Sequence, residues 1–244
     1  MLKNFRVSLI KALIDINEFF FFEKRLTAYY KKIGKKKINV IIDVGANKGQ
    51  TIRFFRKLNN NCEIFSFEPN DSLYKKLKTK YRKDPKIKIL NFGVSDQIGE
   101  KVFYQNILDY TSSFQILNSD SKYLQKKAKI LGIPTHDIVV TSYNVKTTTL
   151  SYFINSEINK DIDVLKIDVE GHEYECLIGL FDVKLNFKIK YIQIEQHTDD
   201  MYINRVPFTK IENLLIDNNF KVKAVINHGF SELKEYIFYN TNIS

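Results

Sequence analysis

The sequence predicts an α/β fold built on a doubly wound, mostly parallel sheet that closes with an antiparallel hairpin. At 38–50, an apolar β-type run leads through a glycine-rich turn into a helix, the arrangement that opens a nucleotide-binding α/β unit. Strand and helix patterns then alternate along most of the chain, as in a parallel sheet. Two β-rich segments near the end, 220–227 and 235–240, follow each other closely and favour a hairpin.

The individual elements follow in order from this alternation. Apolar or alternating runs predict strands of the main sheet at 38–43, 63–68, 87–92, 162–168 and 189–195. Helical patterns are found at about 49–58, 71–81, 172–181 and 207–218. Residues 97–148 interrupt the alternation, so we expect an insert there, with short β segments at 100–104 and 138–148 and a Lys-rich helix at 119–131.

The first 37 residues are predicted to form a helical extension to a domain at 38–244. Apolar side chains recur there at helical spacing, at Leu2, Phe5, Leu9, Leu13, Ile16 and Phe20. Charged residues interrupt this run, which argues against a signal peptide. The helix is expected to pack on the domain or on a second subunit, and a peripheral membrane contact is the alternative. A solvated linker into the domain is expected at Lys31, Lys32 and the lysines of 35–37.

Composition sets limits on the class of protein. A chain of 244 residues with 44% apolar residues can build the core of one α/β domain. The net charge of +10 is spread through a chain rich in Lys, so it does not by itself identify an anionic partner. Cys62 and Cys176 lack metal-site spacing and are expected to be buried, reduced thiols of a cytoplasmic protein. His136 and His228 are expected to be ordinary loop residues.

The glycine-rich turn indicates which cofactor the fold binds. Asp43 ends the first strand, and Gly45, Asn47 and Gly49 follow at every second position. A carboxylate there would repel the pyrophosphate of a dinucleotide, and the third glycine of G-x-G-x-x-G is missing. The ammonium and sulfonium of S-adenosylmethionine suit Asp43 instead. The glycines let the backbone approach a ligand and permit positive φ.

Other cofactor contacts are expected at the ends of the next two strands. Glu68 lies beside the glycine-rich turn and can accept both ribose hydroxyls, or it favours the helix that follows Pro69 through its charge alone. Adenine would lie near the end of the third strand, beside Asn91, Val94 and Ser95. The polar stretch Thr111 to Phe114, which includes Ser112 and Ser113, either lines this pocket or is a plain loop.

The carboxyl ends of the fourth and fifth strands carry the candidate catalytic residues. Asp168 and Glu170 follow a buried strand, where carboxylates cost free energy unless they meet a proton, a cation or a hydroxyl. Glu195 and His197 lie two apart, so they share one face of the strand and look into the same cleft. A neutral imidazole is suited to accept a proton at neutral pH. His172 is expected to be an exposed residue of a first helical turn.

These motifs together resemble those of the FkbM family of S-adenosylmethionine-dependent methyltransferases. The matching pieces occur in family order between Ile38 and His197: IIDVGANKGQT, FSFEPN, LNFGVSDQIGE, TSSF, TTTLSYF, VLKIDVEGHEYECL and IQIEQH. The resemblance implies a class I methyltransferase fold and O-methylation of a sugar, glycan or natural-product hydroxyl. We expect cofactor contacts from Asp43, Gly45, Ala46, Asn47, Gly49, Glu68, Pro69, Asn91, Val94, Ser95, Ser112 and Ser113.

The expected reaction is attack of a hydroxyl oxygen on the sulfonium methyl carbon, with the reactants held in line. His197 or Asp168 would take the proton as general base, and Glu170 and Glu195 would orient the acceptor. A Mg²⁺ ion held by Asp168, Glu170 and Glu195 is the alternative to a base, but it is not expected.

Three other functions stay open at the sequence level. A methyltransferase acting on an RNA 2′-hydroxyl would explain the positive charge, although nucleic acid is not the expected partner. An NAD-dependent oxidoreductase is opposed by Asp43, and a non-enzymatic module could bind an anionic surface through its lysines. A homo-oligomer is also left open.

Overall fold

A computed structural model describes residues 22–34, 38–108, 111–196, 200–204, 206–228 and 233–243. The amphipathic helix expected from Leu2 to Phe20 and the candidate base His197 lie outside the described residues, so both stay predictions. No helix within the described ranges has the length and apolar character needed to cross a bilayer.

The described residues alternate between strands and helices as expected. The strands are β1 (Val40–Val44), β2 (Glu63–Phe67), β3 (Ile87–Leu90), β4 (Gly93–Val94), β5 (Gly99–Asn106), β6 (Val139–Thr148), β7 (Ile162–Ile167), β8 (Ile189–Gln196), β9 (Phe220–Asn227) and β10 (Lys234–Asn240). The α-helices are α1 (Glu23–Ile33), α2 (Gln50–Leu58), α3 (Asp71–Tyr81), α4 (Lys122–Leu131), α5 (Leu150–Glu157), α6 (Glu173–Phe181) and α7 (Phe208–Asp217). A 3₁₀ turn spans Thr135–Asp137.

Seven strands form the main sheet in the order β3-β2-β1-β7-β8-β10-β9. Neighbouring strands from β3 to β8 are parallel, whereas β10 is antiparallel to both β8 and β9. The predicted doubly wound sheet with a C-terminal antiparallel hairpin is therefore confirmed. The chain reverses its direction of strand addition between β1 and β7, and ligands of such folds bind in the crevice outside that point.

Helices cover both faces of the sheet, which explains why β1 is buried along its whole length. On one face, Ile42 and Leu165 belong to a core with helices α5 and α6. On the other face, Ile41 and Val164 belong to a core with α1 and α2. Both thiols are buried and free, as predicted: Cys62 lies in the second core and Cys176 in the first.

The N-terminal extension meets the sheet through α1. Leu26 and Tyr30 are buried there, and the Tyr30 hydroxyl donates a 2.6 Å hydrogen bond to Oε1 of Gln193 in β8. Lys31 and Lys32 lie in the last turn of this helix, so the expectation of a linker at these positions is corrected. Their charges favour the carbonyl end of the helix dipole, which is compatible with helix continuation.

The insert forms a second, smaller sheet in the order β4-β6-β5. Strands β5 and β6 are antiparallel; β5 is longer than the segment expected at 100–104, whereas β6 matches the segment expected at 138–148 to within one residue. Helix α5 was not predicted. It begins after Thr149, whose hydroxyl accepts a hydrogen bond from the backbone N–H of Tyr152, an N-cap that follows directly on β6.

Candidate functional site

A cavity of about 690 Å³ lies at the carboxyl ends of β1, β2, β7 and β8. Its position at the reversal of strand order is where this class of sheet binds ligands, and its size suits a small molecule. The sequence-predicted site residues that line it are Gly45, Ala46, Asn47, Glu68, Pro69, Val94, Ser112, Ser113, Asp168, Glu170 and Glu195.

Four predicted site residues are not among those that line the cavity: Asp43, Gly49, Asn91 and Ser95. Asp43 is fully buried, and the Ser66 hydroxyl donates a 3.0 Å hydrogen bond to its Oδ2. Burial raises the pKa of this carboxyl above its ordinary value.

The glycine-rich turn is shaped by close backbone contacts. Gly45 has φ 93°, and a Cβ atom added there would lie 1.9 Å from the backbone oxygen of Asp168. Asn47 has φ 47°, which a non-glycine residue seldom adopts. Gly49 has φ 78° and precedes α2, where an added Cβ would meet Leu77 at 2.9 Å. Gly45 therefore lets β1 approach the end of β7, whereas Gly49 allows the turn to pack on α3.

Glu68 supports this turn from the end of β2. Its Oε2 accepts a 2.6 Å hydrogen bond from the backbone N–H of Asn47, and its Oε1 accepts one of 2.8 Å from that of Asn70. Asn91 in turn donates from Nδ2 to the backbone oxygen of Glu68 at 3.0 Å. Glu68 thus links the glycine-rich turn to the start of α3, while Asn91 holds Glu68 in place from behind.

Lys166, which the sequence analysis did not select, lies among the acidic residues of the cavity floor. Its Nζ is 2.6 Å from Oδ2 of Asp168, and it pairs in register with Asp43 of β1. Burial opposes the charged form of Lys166, but the carboxylates of Asp168, Glu235 and Asp43 outweigh this effect and raise the pKa of the ammonium above its ordinary value.

Glu195 faces further acidic groups across the sheet. It lies directly opposite Glu235 in the antiparallel pairing of β8 with β10. Burial, together with the charges of Asp168, Glu235 and Glu170, raises the pKa of Glu195 well above its ordinary value. Glu235 is itself buried, and its Oε2 accepts a 3.1 Å hydrogen bond from Nε2 of Gln193.

His228 also belongs to this part of the cavity, which corrects the expectation of an ordinary loop residue. Its side chain is 5% exposed, and its Nε2 lies 3.9 Å from Oε1 of Glu235. The ring stacks on Phe22 with centroids 3.9 Å apart. One carboxylate oxygen of Glu195, one of Glu235 and one ring nitrogen of His228 all lie within 4.8 Å of one another.

The loop after β7 carries Glu170, which also lines the cavity. Glu170 has φ 56° and is followed by Gly171 with φ 91°. The Tyr202 hydroxyl donates a 3.3 Å hydrogen bond to Oε2 of Glu170. The Ser113 hydroxyl lies 2.8 Å from the backbone oxygen of Glu170. The segment that contains Ser112 and Ser113 therefore lines the cavity and contacts the loop that carries Glu170.

His172 is buried, so its expected exposure is corrected. Gln115 Nε2 lies 3.1 Å from Nδ1 of His172, and the Ser95 hydroxyl lies 2.9 Å from its Nε2. Burial, helped by the charge of Lys101, lowers the pKa of His172 to about 3. The Ser95 hydroxyl donates to Oδ1 of Asp96 at 2.7 Å. This polar network joins the insert to the start of α6 behind the cavity.

Of the cavity residues that the sequence did not predict, Lys166 could have been found from a local pattern, whereas Glu235 and His228 could not. Lys166 interrupts an otherwise apolar strand two residues before Asp168, and alternate strand residues share a face. That anomaly was available in the sequence. Glu235 and His228 meet Glu195 only through the pairing of β10 with β8 and β9, which no local pattern reveals.

Comparison with known proteins gives a family match and distant relatives. A family model described as the methyltransferase FkbM domain matches residues 43–222. The AMB antimetabolite synthetase AmbE of Pseudomonas aeruginosa is 24% identical over 177 residues, which are 65% of this chain but only 8% of that protein. The 2-O-methyltransferase NoeI of Sinorhizobium fredii is 22% identical over 176 residues, 72% of this chain and 70% of that protein.

Among solved structures, a SAM dependent methyltransferase from Aquifex aeolicus is 14% identical, with 95% of this chain and 97% of that chain covered and a TM-score of 0.48. The strand order and the family model carry the assignment of the fold without this likeness.

Proposed function

The chain belongs to the FkbM family of methyltransferases, and on this premise we propose that it methylates a hydroxyl oxygen of a sugar, a glycan or a natural product. The reaction class and the methyl donor, S-adenosylmethionine, follow from the family. The acceptor is our proposal. It rests above all on one observation, a carboxylate at Asp168 that is paired with Lys166 in the cavity beside the glycine-rich turn.

The residues around the turn fit this cofactor. Gly45, Ala46 and Asn47 line the cavity, and the missing side chain at Gly45 lets the turn pack closely on the backbone of Asp168. Within the described residues, Oδ1 of Asp43 and Oδ1 of Asn47 are buried and have no hydrogen-bond partner. Both oxygens are acceptors, and the ammonium of the cofactor is a donor. Only Asn47 lies on the cavity wall, so we assign the direct contact to Asn47.

The residues at the ends of β7 and β8 support an oxygen acceptor. Asp168, Glu170 and Glu195 line one cavity and can accept hydrogen bonds from hydroxyl groups. A methyltransferase that acts on a hydroxyl must also remove its proton, and a positioned carboxylate can do so. The name of one relative agrees with this class, since it is a 2-O-methyltransferase.

The roles of the residues follow from their surroundings. When bound, S-adenosylmethionine supplies a methyl group that is already activated by its sulfonium. Asp168 accepts the proton that the acceptor hydroxyl loses, and the ion pair with Lys166 holds the Asp168 side chain in place. Glu170 and Glu195, which line the same cavity, orient the acceptor. His197 stays an alternative base, and it lies outside the described residues.

A 2′-hydroxyl of RNA is the second candidate acceptor. It is favoured by the net charge of +10 and by the basic side chains that contribute to the cavity lining: Lys48, Arg53, Lys57 and Lys127. Neutralising phosphates with such residues makes binding strongly salt-dependent.

The test is transfer of a labelled methyl group from S-adenosylmethionine to defined acceptors. We expect labelling of nucleotide-linked sugars, oligosaccharides or polyhydroxylated natural products, and loss of at least about 10²-fold in turnover in Asp168→Asn with cofactor affinity little changed. A salt-sensitive transfer to RNA instead would select the second candidate. Transfer only to nitrogen or carbon acceptors would contradict both.

A further inference from the structure

We propose that Glu195, His228 and Glu235 form a binding site for a divalent transition-metal ion, with Mn²⁺ as a suitable occupant. The three side chains come from β8, from the end of β9 and from β10, and each of them lines the cavity. The proposal goes beyond the transfer reaction, because an ion at this position is not implied by the need to bind S-adenosylmethionine.

The spacing of the three side-chain atoms suits one shared metal ion once the side chains move slightly closer together. One nitrogen of His228 and one oxygen from each glutamate lie within 4.8 Å of one another. Around an ion with bonds of about 2.0–2.2 Å, neighbouring ligand atoms are about 3.0–3.5 Å apart. Side-chain torsions alone can make up this difference, because the backbones of Glu195 and Glu235 are already directly opposite each other.

A chain of hydrogen bonds orients Glu235 for this role. Tyr30 donates to Oε1 of Gln193, and Gln193 donates from Nε2 to Oε2 of Glu235. The other oxygen of Glu235, Oε1, faces Nε2 of His228 at 3.9 Å. Phe22 holds the plane of the His228 ring by stacking at 3.9 Å. Such outer contacts are what fix the ligands of metal sites in their binding orientation.

The arrangement of charge also calls for a cation. Glu195 and Glu235 are a directly opposed pair in an antiparallel ladder, and like charges in that position are destabilising. The Lys166 ammonium lies 2.6 Å from Oδ2 of Asp168 and also acts on Asp43, Glu195 and Glu235, so one positive charge is shared among four acidic side chains. A divalent ion between the two glutamates converts their repulsion into attraction.

The chemistry of the ligands indicates the class of ion. Imidazole suits Zn²⁺, Fe²⁺ and related ions, and carboxylates suit harder ions such as Mn²⁺, so this mixed set favours a first-row transition metal over Ca²⁺. The site opens on the same cavity as Asp168. On the proposed function, the ion would also bind the acceptor oxygen and make its hydroxyl more acidic.

The test is direct binding of Mn²⁺ to the full chain after treatment with a chelator, followed by electron paramagnetic resonance and calorimetry. We expect saturable binding to the wild-type protein and a loss of at least about tenfold in affinity in Glu235→Gln, since a charged ligand is lost. Glu100→Gln, an exposed change on β5, is the matched control and should bind as the wild type does. Absence of saturable binding, or equal binding in Glu235→Gln, would overturn the proposal.

Folding and activity are measured separately, so that neither can be mistaken for metal binding. A cooperative thermal unfolding transition of Glu235→Gln without metal shows that this variant is folded. If Glu235→Gln does not fold, Mn²⁺ binding is measured on Glu195→Gln, which removes the carboxylate on the opposite strand. Mn²⁺ binding requires no acceptor, so failure to methylate hydroxyl compounds leaves this result intact. Equal Mn²⁺ affinity in every folded variant refutes the site.

Discussion

The ammonium of Lys166 lies 2.6 Å from Oδ2 of Asp168, two residues further along the chain at the end of β7. Because alternate residues of a strand share a face, β7 presents a cation and an anion side by side on the cavity floor. The cation also pairs in register with Asp43 of β1. A single buried side chain therefore links the strand under the glycine-rich turn to the residue that we propose as the base.

Replacement of Lys166 by Met should destabilise the fold by about 3 kcal/mol, because removing one partner of a buried ion pair leaves carboxylates without compensation. Urea denaturation measures the change. Lys160→Met is the matched control. Its ammonium pairs with Glu63 at 2.8 Å with 48% of the lysine side chain exposed, so its loss should cost at most about 1 kcal/mol. Equal costs for the two variants would show that Lys166 does not stabilise the acidic floor.

Gly45→Ala should destabilise the protein by more than about 1 kcal/mol and abolish binding of S-adenosylhomocysteine, because both the positive φ and the contact with Asp168 forbid a side chain. Gly99→Ala is its control, since nothing lies within 4 Å of an added Cβ there. Thermal unfolding with and without the ligand reports both effects. Retained ligand stabilisation in Gly45→Ala would contradict the assignment of this turn.

Glu68→Gln should weaken S-adenosylhomocysteine binding by roughly tenfold, because a carboxylate that lines the cavity and holds the glycine-rich turn loses its charge. The free energy of unfolding should also fall by about 1–2 kcal/mol. Glu68 accepts hydrogen bonds from two backbone N–H groups, and the amide of Gln has one oxygen, so one of these N–H groups would face an NH₂ group instead of an acceptor. Calorimetry and urea denaturation separate the two losses. Glu63→Gln on the same strand is the control, and an unchanged affinity in Glu68→Gln would remove Glu68 from the cofactor site.

The buried His172 should make the fold sensitive to acid. Its pKa falls from the ordinary 6.5 to about 3 in the folded protein. The unfolded chain therefore binds a proton that the folded chain does not, so stability is fully present above about pH 6.5 and falls by about 1.4 kcal/mol per pH unit on the way down to about pH 3.

His172→Gln removes this dependence of the free energy of unfolding on pH. Between about pH 7.5 and about pH 5.5, the variant should therefore lose less stability than the wild type, by roughly 1.4 kcal/mol. Urea denaturation at the two pH values gives the difference. His136→Gln removes an exposed imidazole and serves as the control. A wild-type slope in His172→Gln would show that another group governs acid sensitivity.

Local patterns in the sequence determined the order of the main elements and which residues end each parallel strand. The run from Val40 to Gly49 predicts strand, turn and helix because apolar β-type residues and glycines act within a few residues of one another. The carboxyl ends of parallel strands meet at one edge, so Glu68, Asp168 and Glu195 were brought to one cavity by strand position alone.

The tertiary structure decided which of these side chains reach the cavity and what they meet there. Asp43 lies within β1 instead of at its end, and the cavity is lined by Val44 and Gly45, which follow it. Glu235 meets Glu195 through the register of β8 with β10, segments that are distant along the chain, and His228 is brought there by the pairing of β9 with β10. The sequence determined which residues end the strands around the cavity. Their burial and their contact partners were set by the packing of distant segments, because these depend on strand register and helix docking and not on local periodicity.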